Sequence, residues 1–179
     1  MDYLKILREN PGLAEEFDSL FDFFLLDELS PRDDAEGRCT FSMPGMAFAR
    51  DGSGGEYHLL EDGSIGYYSS EGEAGRLADS MDDLFSLIVS CICWHDCCDA
   101  KQYVDSKTLE EYGQRQRNTN LEDMDSLRRV SDALGIPTGE PLAPVLERFR
   151  KATQREPVYQ CIFHEDDGSL TESYGLMFE

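Results

Sequence analysis

The chain has 179 residues, 40% of them hydrophobic and 11% aromatic, enough apolar material for a packed core and too much for an intrinsically disordered chain. Sixteen Lys and Arg stand against 37 Asp and Glu, a net charge of −21. A field of that sign repels phosphate backbones and anionic membranes, so it argues against direct nucleic-acid or membrane binding and favours association with a basic protein.

Asp2 to Glu9 reads as a short helix. Asn10-Pro11 follows as an N-cap with proline at the first helical position. Leu13, Phe17, Leu20, Phe21, Phe24 and Leu25 recur at helical spacing, with Phe23 and Leu26 widening the stripe. The pattern predicts one buried helix ended by Ser30-Pro31 and the polar run to Arg38. The period then changes. Cys39–Met43, Met46–Arg50, Glu56–Leu60 and Ser64–Tyr68 are short β-like runs, separated by Asp51-Gly52-Ser53-Gly54-Gly55 and the hairpin signal Asp62-Gly63. Ser80 is placed to cap a helix carrying Leu84, Leu87, Ile88, Cys91 and Ile92, with Asp82 and Asp83 in its first turn.

Beyond Asp99 the helical period dominates. Asn120 is a good cap for a helix using Leu121, Met124, Leu127, Val130 and Leu134, and Gly135 and Pro137 stop it. Leu142, Val145, Leu146 and Phe149 mark another helix. Val158–Phe163 and Leu170–Phe178 predict a second hairpin around Asp167-Gly168, where Asp166-Asp167-Gly168-Ser169 echoes Glu61-Asp62-Gly63-Ser64 through shared turn chemistry. The expected fold is α+β: a twisted antiparallel sheet of about six strands with helices packed on it, in a single domain over 1–179. Residues 101–155 carry 9 acids and 10 bases, against 22 acids and 6 bases in 1–100, so they form a near-neutral helical insertion or extension.

Met1-Asp2-Tyr3-Leu4 lacks the basic start and apolar run of an export signal, and Leu84–Trp94 is about half the ~20 apolar residues a membrane span needs. A cytoplasmic location follows as the expectation, with the six cysteines as reduced thiols.

Within segment 41–88, a strand ends in Phe48-Ala49 and is followed by the turn Asp51-Gly52-Ser53-Gly54. Next come an aromatic-bearing strand with Tyr57, the acidic hairpin Glu61-Asp62-Gly63, and Ala78-Asp79-Ser80 leading to Leu84 and Phe85. In order and spacing this segment resembles the centre of the SUKH superfamily, also called the Smi/Knr family. The chain lacks a clean copy of the family's LP-x-x-Y/F element between Ser30 and Met43, and its region after Asp99 is unlike a minimal member's short tail. The resemblance implies an α+β fold and a non-enzymatic role, frequently that of an immunity protein neutralising a bacterial toxin, often a nuclease. A basic nuclease cleft is a natural target for an acidic inhibitor.

Four groups of residues carry possible chemistry. Cys91, Cys93, His95, Cys97 and Cys98 are of the types that bind zinc, but no C-x-x-C spacing is present, and buried thiols at a helix end explain them better. The glycine-rich 51–55 turn runs into a strand pattern, not into the helix that a phosphate cradle requires. His58 could pair with Glu56 or Asp51, and Ser53 could be offered as a nucleophile, without a Ser–His–acid spacing to support them. His164, Glu165, Asp166 and Asp167 read as a solvated hairpin tip that lacks the full calcium-loop pattern.

The region from Glu61 to Asp83 has seven acids and one base interleaved with two tyrosines. Glu61, Asp62, Tyr67, Tyr68, Glu71 and Glu73 are therefore the expected partner-binding residues. The same residues also fit a solvated edge with one tyrosine in the core. The function expected is thus partner binding, with no catalytic residues, metal or cofactor, directed at a basic protein such as a toxin nuclease. The alternatives are a general regulatory scaffold of the Smi/Knr type and a metal- or thiol-dependent enzyme using the Cys91–Cys98 cluster.

Overall fold

A computed structural model describes residues 1–31, 39–165 and 167–172. The expected polar run to Arg38, Asp166 and the far part of the last predicted strand lie outside the described residues. The fold is α+β, as the sequence patterns predict.

Helix α1 (Tyr3–Glu9) opens on Asp2, whose carboxylate accepts from the Lys5 amide at 3.1 Å. Helix α2 (Pro11–Phe21) has proline at its first turn, but Asn10 does not cap it. The Asn10 amide instead donates back to the Ile6 carbonyl at 2.7 Å and closes α1. The expected continuation of α2 through Leu25 does not occur. Asp22 takes a left-handed conformation (φ 50°), tolerated by a short polar side chain, and its carboxylate accepts from the Gly52 amide at 3.0 Å. Phe23 then turns into the core, and Phe24–Pro31 form strand β1.

The other strands are β2 (Cys39–Phe41), β3 (Gly45–Arg50), β4 (Glu56–Leu60), β5 (Ile65–Tyr68) and β6 (Ala74–Ala78). They are joined later by β7 (Cys161–His164) and β8 (Leu170–Glu172). They divide into two antiparallel sheets, one ordered β1-β3-β4-β5-β6 and one ordered β2-β7-β8. Strand β6 escapes sequence reading because Ala-Gly-Arg-Leu-Ala has none of the β-branched or aromatic residues that signal a strand. All five of its residues are buried.

The helices lie on one face of the larger sheet. Helix α3 (Met81–Cys91) begins at Ser80, whose hydroxyl accepts from the Asp83 amide at 3.1 Å. Helices α4 (Ser106–Asn120), α5 (Met124–Leu134) and α6 (Leu142–Thr153) follow. Asn120 belongs to the last turn of α4, and α5 is capped by Asp123, whose carboxylate binds the Asp125 and Ser126 amides. Side chains from α4–α6, such as Leu109, Leu127, Val130, Leu146 and Phe149, share one core with Phe17, Phe23, Phe48, Tyr57 and Phe85. The 101–155 region is therefore packed into the main core.

A second, smaller core covers the other face of that sheet. Tyr159 and Cys161 pack on Met43, Leu60 and Ala74, with Phe41 and Tyr68 beside them. Two buried polar side chains tie this layer to the larger sheet. His58, fully buried, shares a 2.8 Å hydrogen bond with the Tyr159 hydroxyl, and its other ring nitrogen lies 3.0 Å from the Glu56 carboxylate. Arg76, also 0% exposed, donates to the Arg155 and Pro157 carbonyls at 2.8 and 3.1 Å, and to Ser64 Oγ at 2.9 Å.

The two Asp-Gly-Ser turns share one chemistry. Asp62 and Asp167 each accept from the amide two residues on, at 3.0 and 2.9 Å, and each following glycine has φ 81°.

Candidate functional site

A cleft of about 520 Å³ opens between the β5–β6 turn and the segment after α3. Tyr67, Ser69 and Glu73 form one wall, and Trp94, His95, Cys98, Asp99 and Lys101 form the other.

The second wall depends on an unusual backbone turn. Helix α3 stops at Cys91, and Ile92 adopts φ 67°, ψ −63° while the Cys93 amide donates to the Cys91 carbonyl at 2.9 Å. That is a strained three-residue γ-turn, rare for any residue and rarer for a β-branched one. It reverses the chain into a 3-10 turn (Trp94–Cys97) and sets Trp94 against Tyr67 at 4.9 Å between ring centroids. Strain of this kind concentrates at sites where the surroundings hold a side chain in a required place.

Beneath the cleft, Asp51 Oδ1 accepts from the Ser53 amide at 2.9 Å, the Ser53 hydroxyl at 2.7 Å and the Gly55 amide at 2.8 Å. Asp51 Oδ2 accepts from the Tyr67 hydroxyl. The glycine-rich turn thus directs its amides at its own carboxylate, which rules it out as a vacant phosphate cradle. Gly55 is required there, because a Cβ at that position would sit 2.1 Å from the Tyr67 hydroxyl and 2.6 Å from Asp51 Oδ2. The Tyr67 oxygen in turn lies 3.2 Å from His95 Nε2, which stands 3.8 Å from Asp51 Oδ2. Since the tyrosine proton goes to the carboxylate, the histidine Nε2–H donates to the tyrosine oxygen.

Electrostatics follow from this network. Burial would raise the Asp51 carboxyl, but the bonds from Tyr67, Ser53 and Gly55, with His95 nearby, more than offset it and hold its pKa below the ordinary value. Burial first, then the Asp51 contact, pushes the Tyr67 phenol far up. Desolvation lowers the His95 pKa despite the opposing pull of Asp51, Asp96 and Asp22, so the ring favours its neutral form. One face of that ring stacks on Trp94 at 3.6 Å, and the side chain is 44% exposed. The Trp94 indole N–H is held inward by the Tyr57 hydroxyl at 3.0 Å.

The cysteine cluster belongs to the same wall. Cys91 and Cys97 are buried, and Cys93 and Cys98 half-buried. Burial pushes the Cys98 thiol up to about 12, with Cys97 and Glu73 adding to it, and burial raises Cys93 as well. The hydrogen bond with Cys97, then burial, holds Cys91 well above its usual value. The thiols of Cys91, Cys93 and Cys98 are therefore protonated at neutral pH, the reverse of what an activated nucleophile needs. Among the described residues, no group of three or more His, Cys, Asp and Glu side chains is arranged to hold a metal ion.

The six expected partner-binding residues do not share one surface. Glu71 is exposed in the β5–β6 turn, and Glu73, half-buried, lines the cleft. Tyr67 is only 2% exposed and contributes an edge to the cleft, not a surface anchor. Tyr68 points to the opposite face of the sheet, against Phe41. Glu61 and Asp62 lie at the other end of β5. Asp62 is committed to the scaffold there, bound by Arg155 and, at 3.4 Å, by Arg76.

The alternation of β5 foretells that Tyr67 and Tyr68 face opposite sides. Trp94 and His95 carry no sequence signal of comparable strength, because their placement depends on the turn at Ile92. His58 does pair with Glu56, two residues along the same strand, but its ring is buried and its other nitrogen is bound to Tyr159, and the Ser53 hydroxyl is spent on Asp51.

Comparison of the chain with protein-family models, with curated proteins and with solved structures gives no significant match.

Proposed function

We propose that this is a non-enzymatic binding protein that sequesters a basic protein partner, in the manner of the immunity proteins of the SUKH superfamily that segment 41–88 resembles. A toxin of the nuclease type is the partner class that suits its charge. The observation that carries the reading is the distribution of polar groups at the cleft. Asp51, Tyr67, Ser53 and the Trp94 N–H are hydrogen-bonded into the scaffold, whereas Asp22, Glu71, Asp96 and Asp99 are exposed around it. Most groups able to perform chemistry are occupied by structure, and the charge that faces solvent around the cleft is mainly negative, with Lys101 as its one cationic lining residue. A net charge of −21 steers a cationic partner toward such a face.

The test is affinity capture from a lysate of the native organism, followed by co-expression of the captured protein with this one. The reading expects one dominant protein of high isoelectric point, toxic alone and harmless when co-expressed. Capture of several unrelated proteins favours a general scaffold, and a captured protein whose toxicity is unaffected by co-expression contradicts the reading.

A further inference from the structure

We propose that the Tyr67–Trp94–His95 cleft is the receptacle for an arginine side chain of the basic partner; this rests on the binding reading above and specifies how it is carried out. Three features of the cleft converge on a guanidinium. The first is a flat surface: the imidazole of His95 stacks on the buried Trp94 indole, which holds the ring in place, and its side chain is 44% exposed. A planar, weakly hydrated guanidinium stacks on such a surface, whereas the compact and strongly hydrated ammonium of lysine does so less well.

The second is charge. Glu73 and Asp99 are on opposite walls, with Asp51 below and Asp96 beside His95, against the single exposed ammonium of Lys101. The Asp99 carboxylate is already held by the Lys101 amide and the Gln102 side chain, each at 3.0 Å. Glu73 is therefore the carboxylate placed to accept the paired N–H groups of an arginine. The third is the protonation state of His95. Desolvation keeps it neutral near pH 7, so it offers an aromatic face without a competing positive charge.

At about 520 Å³ the cleft accommodates an arginine together with the flanking backbone of the segment presenting it. Trp94 is the chain's single tryptophan and stacks on His95, so its fluorescence reads changes at that ring.

The experiment titrates the full-length protein at pH 7.5 and physiological salt with N-acetyl-arginine amide, following Trp94 fluorescence. The lysine and citrulline analogues serve as probes of charge and shape. The expected result is a saturable change with arginine, at least about threefold weaker with lysine and absent with citrulline, which keeps the planar shape but loses the charge. Glu73→Gln should weaken arginine binding about tenfold, while Glu61→Gln at the far end of β5 leaves it unchanged. Matching thermal unfolding of both variants shows that the fold is intact.

No saturable change with arginine, an equal response to citrulline, or equal loss in both variants overturns the assignment. Failure here is separable from failure of the binding reading. A basic partner that binds wild type and Glu73→Gln equally removes the arginine receptacle and leaves the reading standing, whereas absence of any basic partner removes the reading itself.

Discussion

Replacing Arg76 by methionine gives the most direct view of what joins the two sheets. The guanidinium is 0% exposed and uses its donors on the Arg155 and Pro157 carbonyls, Ser64 Oγ, Met43 Sδ at 3.0 Å and Asp62 at 3.4 Å. Methionine fills much of the volume but donates nothing. The Ser64 hydroxyl still has Asp62, and Asp62 still has Arg155, so neither is orphaned. The two carbonyls lose their Arg76 donor in a part-buried site, at about 1–3 kcal/mol each. Relief of the desolvation that lowers the Arg76 pKa returns part of this. No charge is left unpaired, so the net expectation is a loss of about 2–4 kcal/mol, set by the two carbonyls less the desolvation relief. With a urea m-value of about 2 kcal/mol/M, the unfolding midpoint should fall by roughly 1–2 M. A variant within about 1 kcal/mol of wild type would refute the claim that Arg76 holds the second sheet in place.

Two further variants probe the same framework. A Cβ on Gly66 would lie 2.7 Å from the ring of Tyr159, which is fully buried and tied to His58, so Gly66→Ala should cost about 1–3 kcal/mol and lower the melting temperature by roughly 5 °C; an unchanged melting temperature counts against close packing of the two sheets. Asp51 has a folded pKa below its unfolded value of about 3.9, so its stabilisation is complete above that value and is lost as pH falls through the folded pKa. The stability gap between wild type and Asp51→Asn should therefore narrow below about pH 4 in urea titrations, and a gap that stays constant down to pH 2 contradicts the assignment.

Much of the fold was legible where local signals and tertiary packing agree. Asp2, Ser80 and Gly135 end or begin helices as their chemistry predicts, and strands β3 to β5 follow alternation and turn residues. The failures have physical causes. Phe24 and Leu25 continue the helical spacing of Phe17 and Phe21, and the helix ends where Asp22 turns left-handed, accepts from a turn thirty residues away and lets Phe24 and Leu25 pair with β3. Strand β6, Ala-Gly-Arg-Leu-Ala, is buried on both faces and carries a charged residue but no β-branched or aromatic one, so it resembles no strand in isolation. Asn120 and Asp123 are both competent caps, and the choice fell to the residue whose carboxylate reaches the amides of Asp125 and Ser126.

The site was less legible than the fold. Glu71 and Glu73 were found by charge, and their turn does border the cleft. Glu61 and Asp62 were grouped with them by sequence proximity, yet one short strand separates the two ends, and Asp62 is occupied by arginines that were invisible as its partners. Trp94 and His95 looked like the tail of a cysteine-rich helix. A helix continuing past Cys91 would have set His95 with Cys91 and Cys98 on one face, whereas the γ-turn at Ile92 sends the chain back toward Tyr67 instead.

The central claim is that the exposed carboxylates around this cleft recruit a basic partner. The association rate of the purified partner, measured against ionic strength for wild type and for the double variant Glu71→Gln/Glu73→Gln, tests it most directly. The account predicts that raising salt slows wild-type association by at least about tenfold, and that the double variant starts slower and responds less. An association rate independent of salt, or a double variant indistinguishable from wild type, would contradict it.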